Sequence, residues 1–512
     1  MFGYLDDFAI LNRKSGIMTG RAADAYPNDE GFAYISQDYE RTPFGRLTES
    51  GLPGKAYAID PNVPAAQRQT VRISYDPIKI PGLDLQKDRY HFMTTTGMDG
   101  RRSVSVLNSQ KQQVAAAALG SNKAIISATT TAYEKTTKIE TDFLPAYFEN
   151  KKTMIRTGRF DFLGNLVQQT DPNMEGKIQH CYNDINQLRF SQSPAIAKEG
   201  KFAYKKYDSF RRITEEGYCY DTWQDAVKHA DNPEYPSSNH TRLRSYEYGK
   251  DIADIGAMAA LISTKKEDSA AGVREEYGYD SFGREISKSV SVGEKKFTQS
   301  WKLNNQGDVV SMKNADGTVL NYVFDYCGRP AYENLDTERL TTFSYHANDM
   351  IHKVETPGGT TEYNYTNTGW IKEIKSPLME ESISYKGMKI EEFLVKLKVS
   401  APNVPAAIRY ALEYDEFGRL YSANCYDGDK LMEEISIKSI SYDANGNILK
   451  MEAGGKLREY LYKENTDRLS GVDKEDDFTY NSDGAVTSYK SRGIEEIVYE
   501  NDRPVSFKFK TS

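Results

Sequence analysis

A short motif returns along this chain at intervals of about twenty residues: an aromatic residue, Asp or Asn, two free positions, then Gly. Well-formed copies are FDFLGNL from Phe160, YDSFGREI from Tyr279, FDYCGRP from Phe324, YDEFGRL from Tyr414 and YDANGNI from Tyr442. Partial copies begin at Tyr182, Tyr207, Leu303, Tyr345, Tyr365, Tyr462, Tyr480 and Tyr499. From Asp280 onward the second-position anchors stand at 280, 304, 325, 346, 366, 415, 443, 463, 481 and 500. The one long step, from 366 to 415, hides a degenerate or inserted unit near 378–413. A fixed period of this length means one supersecondary unit repeated. The 512 residues, which at about 100–200 residues per domain would predict three or four domains, are therefore read as one array with a less regular front segment.

The chemistry of one unit is that of a tight turn. In DFLG, DSFG, DYCG, DEFG and DANG, Asp stands first and Gly fourth. This is the type I pattern, in which the carboxylate bonds the local backbone and Gly supplies the left-handed conformation. A type I turn followed by left-handed Gly makes a bulged hairpin loop between antiparallel strands. The residues assigned to this role are Asp161 and Gly164; Asp280, Gly283 and Arg284; Asp325, Gly328 and Arg329; Asp415, Gly418 and Arg419; and Asp443, Gly446 and Asn447. Their expected role is structural, the Asp capping a turn and the preceding aromatic packing a sheet. The flanks alternate with a period of two, as Tyr277 and Tyr279 do before the turn and Ile286, Val290 and Val292 after it, which is the strand signature. A looser second turn follows about ten residues later, at Asn314–Gly317 or Pro357–Gly359.

Thirteen anchors imply about 26 strands and, at about 4.8 Å per strand, a sheet about 125 Å wide. Twisted sheets rarely exceed about ten strands without curling or closing. The expected fold is all-β: a long antiparallel ribbon of about 20-residue hairpins wound into a hollow shell or spiral, with one or two short helical insertions. Residues 1–154 read as a β-rich N-terminal region with degenerate repeats, such as RTPFGRLTESGLPG from Arg41, and 155–512 as the array proper. Insertions fall at about 215–275 and 378–413. In the first, Trp223, Ala226, Val227 and Ala230 have helical spacing, with Asp221 as the expected N-cap. In the second, Ile390, Phe393, Leu394 and Leu397 have the same spacing and predict a second helix.

Composition narrows the function. Sixty-six basic against 74 acidic residues leave a net charge of −8, which argues against nucleic acid as a partner. Aromatics reach 12%, and 36 of them are Tyr; Tyr suits a half-exposed sheet, packing its ring and keeping its hydroxyl hydrated. No run approaches the ~20 apolar residues of a membrane span, and Met1 to Gly20 carries no signal-peptide pattern. Cys181, Cys219, Cys327 and Cys425 are too far apart for zinc-ligand pairs and too few for a disulfide scaffold.

No HExxH, GxSxG or phosphate-loop motif is present, so neither an enzymatic activity nor a cofactor is expected. Asp171, Asn173, Glu175 and Gly176 imitate the start of a calcium loop, but Tyr182 stands where the bidentate Glu belongs. His180 and Cys181 are neighbours on a strand and point to opposite faces. His346 and His352 flank a turn and could face each other, with no third ligand in sequence. Asn239-His240-Thr241 and Asn364-Tyr365-Thr366 fit the glycosylation pattern.

The motifs YDSFGREI, FDYCGRP, YDEFGRL and YDANGNI closely resemble the YD repeats of the rearrangement-hotspot (RHS) family, over at least residues 155–512; RTPFGRLTESGLPG and TTTGMDGRRSVSVLNSQKQQVA resemble its front portions. Members of that family include polymorphic toxins, shell subunits of insecticidal toxin complexes and animal teneurins, which wind the repeats into a hollow β-shell. The resemblance implies a structural shell segment that encapsulates and helps deliver a toxin or effector domain encoded beyond this chain, secreted or at the cell surface. Its partners would be that C-terminal effector domain or a neighbouring shell chain. The alternative is a cell-surface adhesion or carbohydrate-binding protein that stacks sugars on exposed Tyr and Trp. The sequence ends inside a repeat, at YENDRPVSFKFKTS, with no DPxG-type element before Ser512. A fragment, a split product or a shell without cargo are the three expectations, and neither self-cleavage nor toxin activity is carried over. Unpaired ribbon edges are expected to drive association unless a partner covers them.

Overall fold

The computed structural model describes residues 9–12, 14–26, 29–78, 89–119, 125–134, 137–143, 154–249, 258–263, 272–399, 405–443, 445–500 and 503–510. Parts of the two expected insertions (250–257, 264–271 and 400–404), the first eight residues and the last two lie outside them. Short antiparallel strands succeed one another through most of the chain. From Ser36–Tyr39 to Leu469–Val472 the ladders join strands in sequence order, hairpin after hairpin. Among the described residues no ladder joins those two terminal strands to each other. A four-stranded sheet, Phe478–Tyr480, Val486–Tyr489, Ile494–Glu500 and Arg503–Phe509, continues the chain.

Because every strand reverses direction, the connecting turns fall on two rims of the ribbon. One rim carries the Asp-x-x-Gly turns; the other carries connections such as Asp171–Gly176 and the helix Pro194–Lys198. The late part of the ribbon returns alongside the early part, with contacts between residues 288 to 316 apart in sequence. One coil thus takes about 300 residues, and this chain makes between one and two.

The wall is thin. Strands such as Val273–Tyr279 and Val319–Phe324 are half-buried at every position instead of alternating between buried and exposed. The accessible surface is 31584 Å², against about 19,000 Å² expected of a compact protein of this mass. A coil contains about two dozen strands, which at about 4.8 Å each give a path about 115 Å long and roughly 35 Å across. Packed sheets lie only about 10 Å apart, so a ring of that width surrounds a space.

Denser packing occurs in two patches. Phe92, Val104, Val106, Ala115, Ala117 and Leu119 bury one face of the front hairpins. Phe190, Phe202, Tyr204 and Cys219 are covered by Ala226 and Ala230, with Trp223 and Tyr235 against them. The covering helix, Trp223–Lys228, confirms the first helical expectation with one correction: Thr222 is its N-cap and accepts the amide of Asp225. Asp221 is drawn away by the Tyr235 hydroxyl at 2.8 Å and the Asn239 amide at 2.7 Å. The second expected helix is not one. Ile390, Phe393, Leu394 and Leu397 lie on the strand Lys389–Leu397, held on one side by Met379–Lys386 and on the other by Ala407–Tyr414. A wall strand half-covered on both faces carries apolar residues on both, and that spacing imitates a helix. No helix among the described residues is long and apolar enough to cross a membrane.

Candidate functional site

The repeat turns share one geometry. Asp280 accepts the amides of Phe282 and Arg284 on one oxygen, each at 2.9 Å, and Arg284 Nε on the other at 2.7 Å. Asp325 with Arg329 and Asp415 with Arg419 do the same. Asp161 and Asp443 use Asn165 and Asn447 in place of the guanidinium. Gly164, Gly283, Gly328, Gly418 and Gly446 are left-handed, with φ between 75° and 91°. A bulge falls at the aromatic before each of these Asp residues. The Asn165 side chain holds the Asp161 carboxyl below its ordinary range, and the Arg329 amide and guanidinium do so for Asp325.

A second layer of bonds ties each unit to the next. The remaining arm of Arg284 reaches the Asn304 carbonyl at 3.0 Å, and that of Arg419 reaches the Asp443 carbonyl at 2.8 Å. Arg329 and Arg419 also lie over the Tyr345 and Tyr442 rings, at 4.3 and 4.4 Å. The Tyr that opens a unit donates its hydroxyl to the backbone carbonyl just after the preceding turn: Tyr345 to Pro330, Tyr442 to Leu420, Tyr480 to Leu469, each at 2.7 Å. Burial raises these phenols, Tyr462 to about 12, so they remain donors at neutral pH. Sequence reasoning missed this bond, although its signal is the Tyr that leads so many units.

The coils meet rim to rim. Asn173 accepts the amide of Asp467 on its side chain and Nε of Arg468 on its carbonyl, both at 2.7 Å. Asp483 accepts the Ser193 hydroxyl at 2.5 Å and the Ala195 amide at 2.7 Å. Glu175 donates its amide to Ser482 at 2.8 Å, and Arg101 reaches the Phe417 carbonyl at 3.0 Å. Tyr57 packs edge-on against Trp370, ring centres 6.2 Å apart. In each case an Asp-x-x-Gly turn of the late coil, or its degenerate form, sits on the opposite rim of the early coil. A cavity of about 510 Å³ lies in this seam, with Tyr26, Asp29 and Pro53 from one coil and His346, Asn348 and Tyr365 from the other.

The chemical leads resolve into structure. Asp171, Asn173 and Glu175 serve packing: Asp171 pairs with Arg156, Asn173 joins the seam and Glu175 pairs with Lys198. His180 and Cys181 oppose Ser191 and Phe190, and burial raises the Cys181 thiol. The rings of His346 and His352 lie 4.5 Å apart, and His346 Nε2 is 2.8 Å from the Tyr363 carbonyl. Among the described residues no group of three or more His, Cys, Asp or Glu is placed to hold a metal ion. Asn239 and Asn364 donate their side-chain amides to Asp221 and Glu373.

No known family matches the sequence, and no curated protein does. Solved structures do match. A TcdB2–TccC3–Cdc42 crystal structure is similar over 98% of this chain and 26% of its own, with a TM-score of 0.69 at 12% identity. TcdB2–TccC3 without its hypervariable C-terminal region is similar over 97% and 25%, with a TM-score of 0.68 at 11% identity. The Photorhabdus luminescens Tc holotoxin pore carrying TccC3-D651A gives 0.52 at 11% identity, over 93% and 29%. The likeness is one of fold, and the chain spans about a quarter of the length of the chains it matches.

Proposed function

We propose that this chain is a structural segment of an RHS-type shell, a non-enzymatic wall that encloses a toxin or effector polypeptide during delivery. One observation carries the reading: a single thin ribbon winds about 300 residues per coil around a space and seals coil to coil along its rims. The matched structures are of Tc toxin complexes, and the repeat resembles the YD unit; both support it. In this reading residues 1–154 are the degenerate front of the wall and 155–512 its regular array, the repeat-turn Asp, Gly, Arg and Asn residues being its fasteners. The partner is a C-terminal effector domain or a neighbouring shell chain, and the destination is extracellular.

The adhesin alternative is less well supported. Trp301 is bonded to the Glu285 carbonyl, Trp370 is in the seam and Trp223 covers a core patch, so the indoles are engaged in the wall and the alternative rests on exposed tyrosines such as Tyr39 and Tyr326 alone. Containment is tested by purifying the protein from its native host with whatever polypeptide it retains, then treating it with protease. An enclosed polypeptide survives until the wall is denatured. A retained polypeptide digested equally fast before and after denaturation, or none retained at all, overturns the proposal.

A further inference from the structure

The seam is closed by turn tips, and between two of them it holds the cavity of about 510 Å³. Tyr26 and Asp29 line it from the early coil, and His346, Asn348, Asn364 and Tyr365 from the late one. One group in this lining lacks a partner. Asp29 is 5% exposed, and its backbone is satisfied in both directions: the amide donates to the Tyr26 carbonyl at 3.1 Å, and the carbonyl accepts the Phe32 amide at 2.9 Å. Its carboxyl receives no hydrogen bond and no ion pair from the described residues, and burial alone raises it above its ordinary value.

A buried carboxylate reaches a stable state by taking either a proton or a counter-ion. The cations bonded to these turns are engaged elsewhere: Lys55 pairs with Glu30, and Arg329 with Asp325 and Asp349. His346 turns Nε2 to the Tyr363 carbonyl, 2.8 Å away, and its ring lies against that of His352. A metal ion is a poor occupant, since among the described residues no group of three or more His, Cys, Asp or Glu is placed to hold one. The rest of the lining suits an ammonium group. The rings of Tyr26 and Tyr365 attract a cation over their faces, and the side-chain oxygens of Asn348 and Asn364 keep lone pairs for its N–H groups.

We propose that this cavity is a binding site for a small organic ammonium ion, whose positive charge pairs with Asp29. The site is complete only where the two coils meet, so a bound amine also fastens the seam: a ligand that binds the closed form alone stabilises that form. The inference stands on the cavity and its unpaired carboxyl, and does not depend on what the wall encloses.

The test is calorimetric titration of the full chain at neutral pH with 1,4-diaminobutane, and with 1,4-butanediol as its uncharged counterpart. A single equivalent of the diamine binds and the diol does not. Asp29→Asn, which keeps the shape of the side chain, weakens the diamine by about thirtyfold or more, as truncating one member of a buried charge pair does. Ala347→Leu, which fills the cavity from the late coil, abolishes binding at an unchanged far-ultraviolet spectrum and radius of gyration. No binding at millimolar diamine overturns the proposal and leaves Asp29 neutralised by a proton. Uptake of several equivalents that Asp29→Asn does not reduce reports only the net charge of the chain and overturns it equally. So does a diol that binds as tightly as the diamine, or binding that Ala347→Leu retains, which would place the amine elsewhere.

Discussion

The fourth position of the repeat turn is chosen by backbone conformation. Gly328 has φ of 79°, and an added Cβ would meet nothing within 4 Å, so Gly328→Ala isolates left-handed strain from packing. The expected cost is about 1 kcal/mol. The converse exists in the same array: Arg211 holds φ of 68° where other units have Gly, and Arg211→Gly should recover a few tenths to about 1 kcal/mol. Repeat arrays open locally, so the readout is amide exchange in the flanking hairpin, about fivefold faster for the first variant and slower for the second. Equal effects in one direction would contradict the assignment. The turn carboxylates set a pH dependence. Asp161 and Asp325 are held below the ordinary carboxylate value by their Asn165 and Arg329 partners. A depressed folded value contributes stability fully present above the unfolded value of about 3.9 and lost as pH falls through the lower folded one. Carbon-detected titration of these two carboxyls should therefore give midpoints below 3.9, and their contribution should be level from pH 5 to 8. Midpoints at or above 3.9 would show that the turn bonds do not form in solution.

Between neighbouring units the ladder and the Tyr–carbonyl bond act together. Tyr442→Phe keeps the ring under Arg419 and removes only the 2.7 Å bond to the Leu420 carbonyl, leaving a half-buried acceptor unpaired. A loss of about 1 kcal/mol is expected, confined to exchange of the hairpins on either side of that bond; a loss spread evenly over the coil would mean that the units are not the cooperative elements. How far such elements were readable follows from distance along the chain. Asp280 and every group it binds lie within five residues, so turn, bulge and strand reversal are written locally and the ribbon follows. The strand Lys389–Leu397 was misread because its partners, Met379–Lys386 and Ala407–Tyr414, rather than its own periodicity, decide its state. The cap of Trp223–Lys228 moved by one residue because Tyr235 and Asn239, fourteen and eighteen positions away, claim Asp221. The Tyr–carbonyl bond left its trace in the Tyr that leads so many units, but nothing in the sequence names its partner, since the acceptor is backbone.

At the scale of the whole molecule the seam is the part no local signal describes, because its partners stand 288 to 316 residues apart. It is also the weaker part. Within a coil each strand is held by continuous ladders, whereas each turn tip adds only a few bonds between coils. Arg468 concentrates one such contact: its side chain is 8% exposed, its Nε reaches the Asn173 carbonyl at 2.7 Å, and Glu175 lies 3.7 Å from its guanidinium. Arg468→Ala leaves that carbonyl unpaired and should weaken the seam by about 2–3 kcal/mol. Asp483→Ala removes the neighbouring contacts to Ser193 and Ala195. Because the ladder does not pass through the seam, the double variant should uncoil without melting: a larger radius of gyration by X-ray scattering at an unchanged far-ultraviolet spectrum. Loss of strand signal together with the expansion would mean that seam and ladder fold as one unit, and an unchanged radius would mean that other tips suffice. The first outcome would make the rim contacts the place where a wall of this kind opens, since they can yield while every hairpin stays formed.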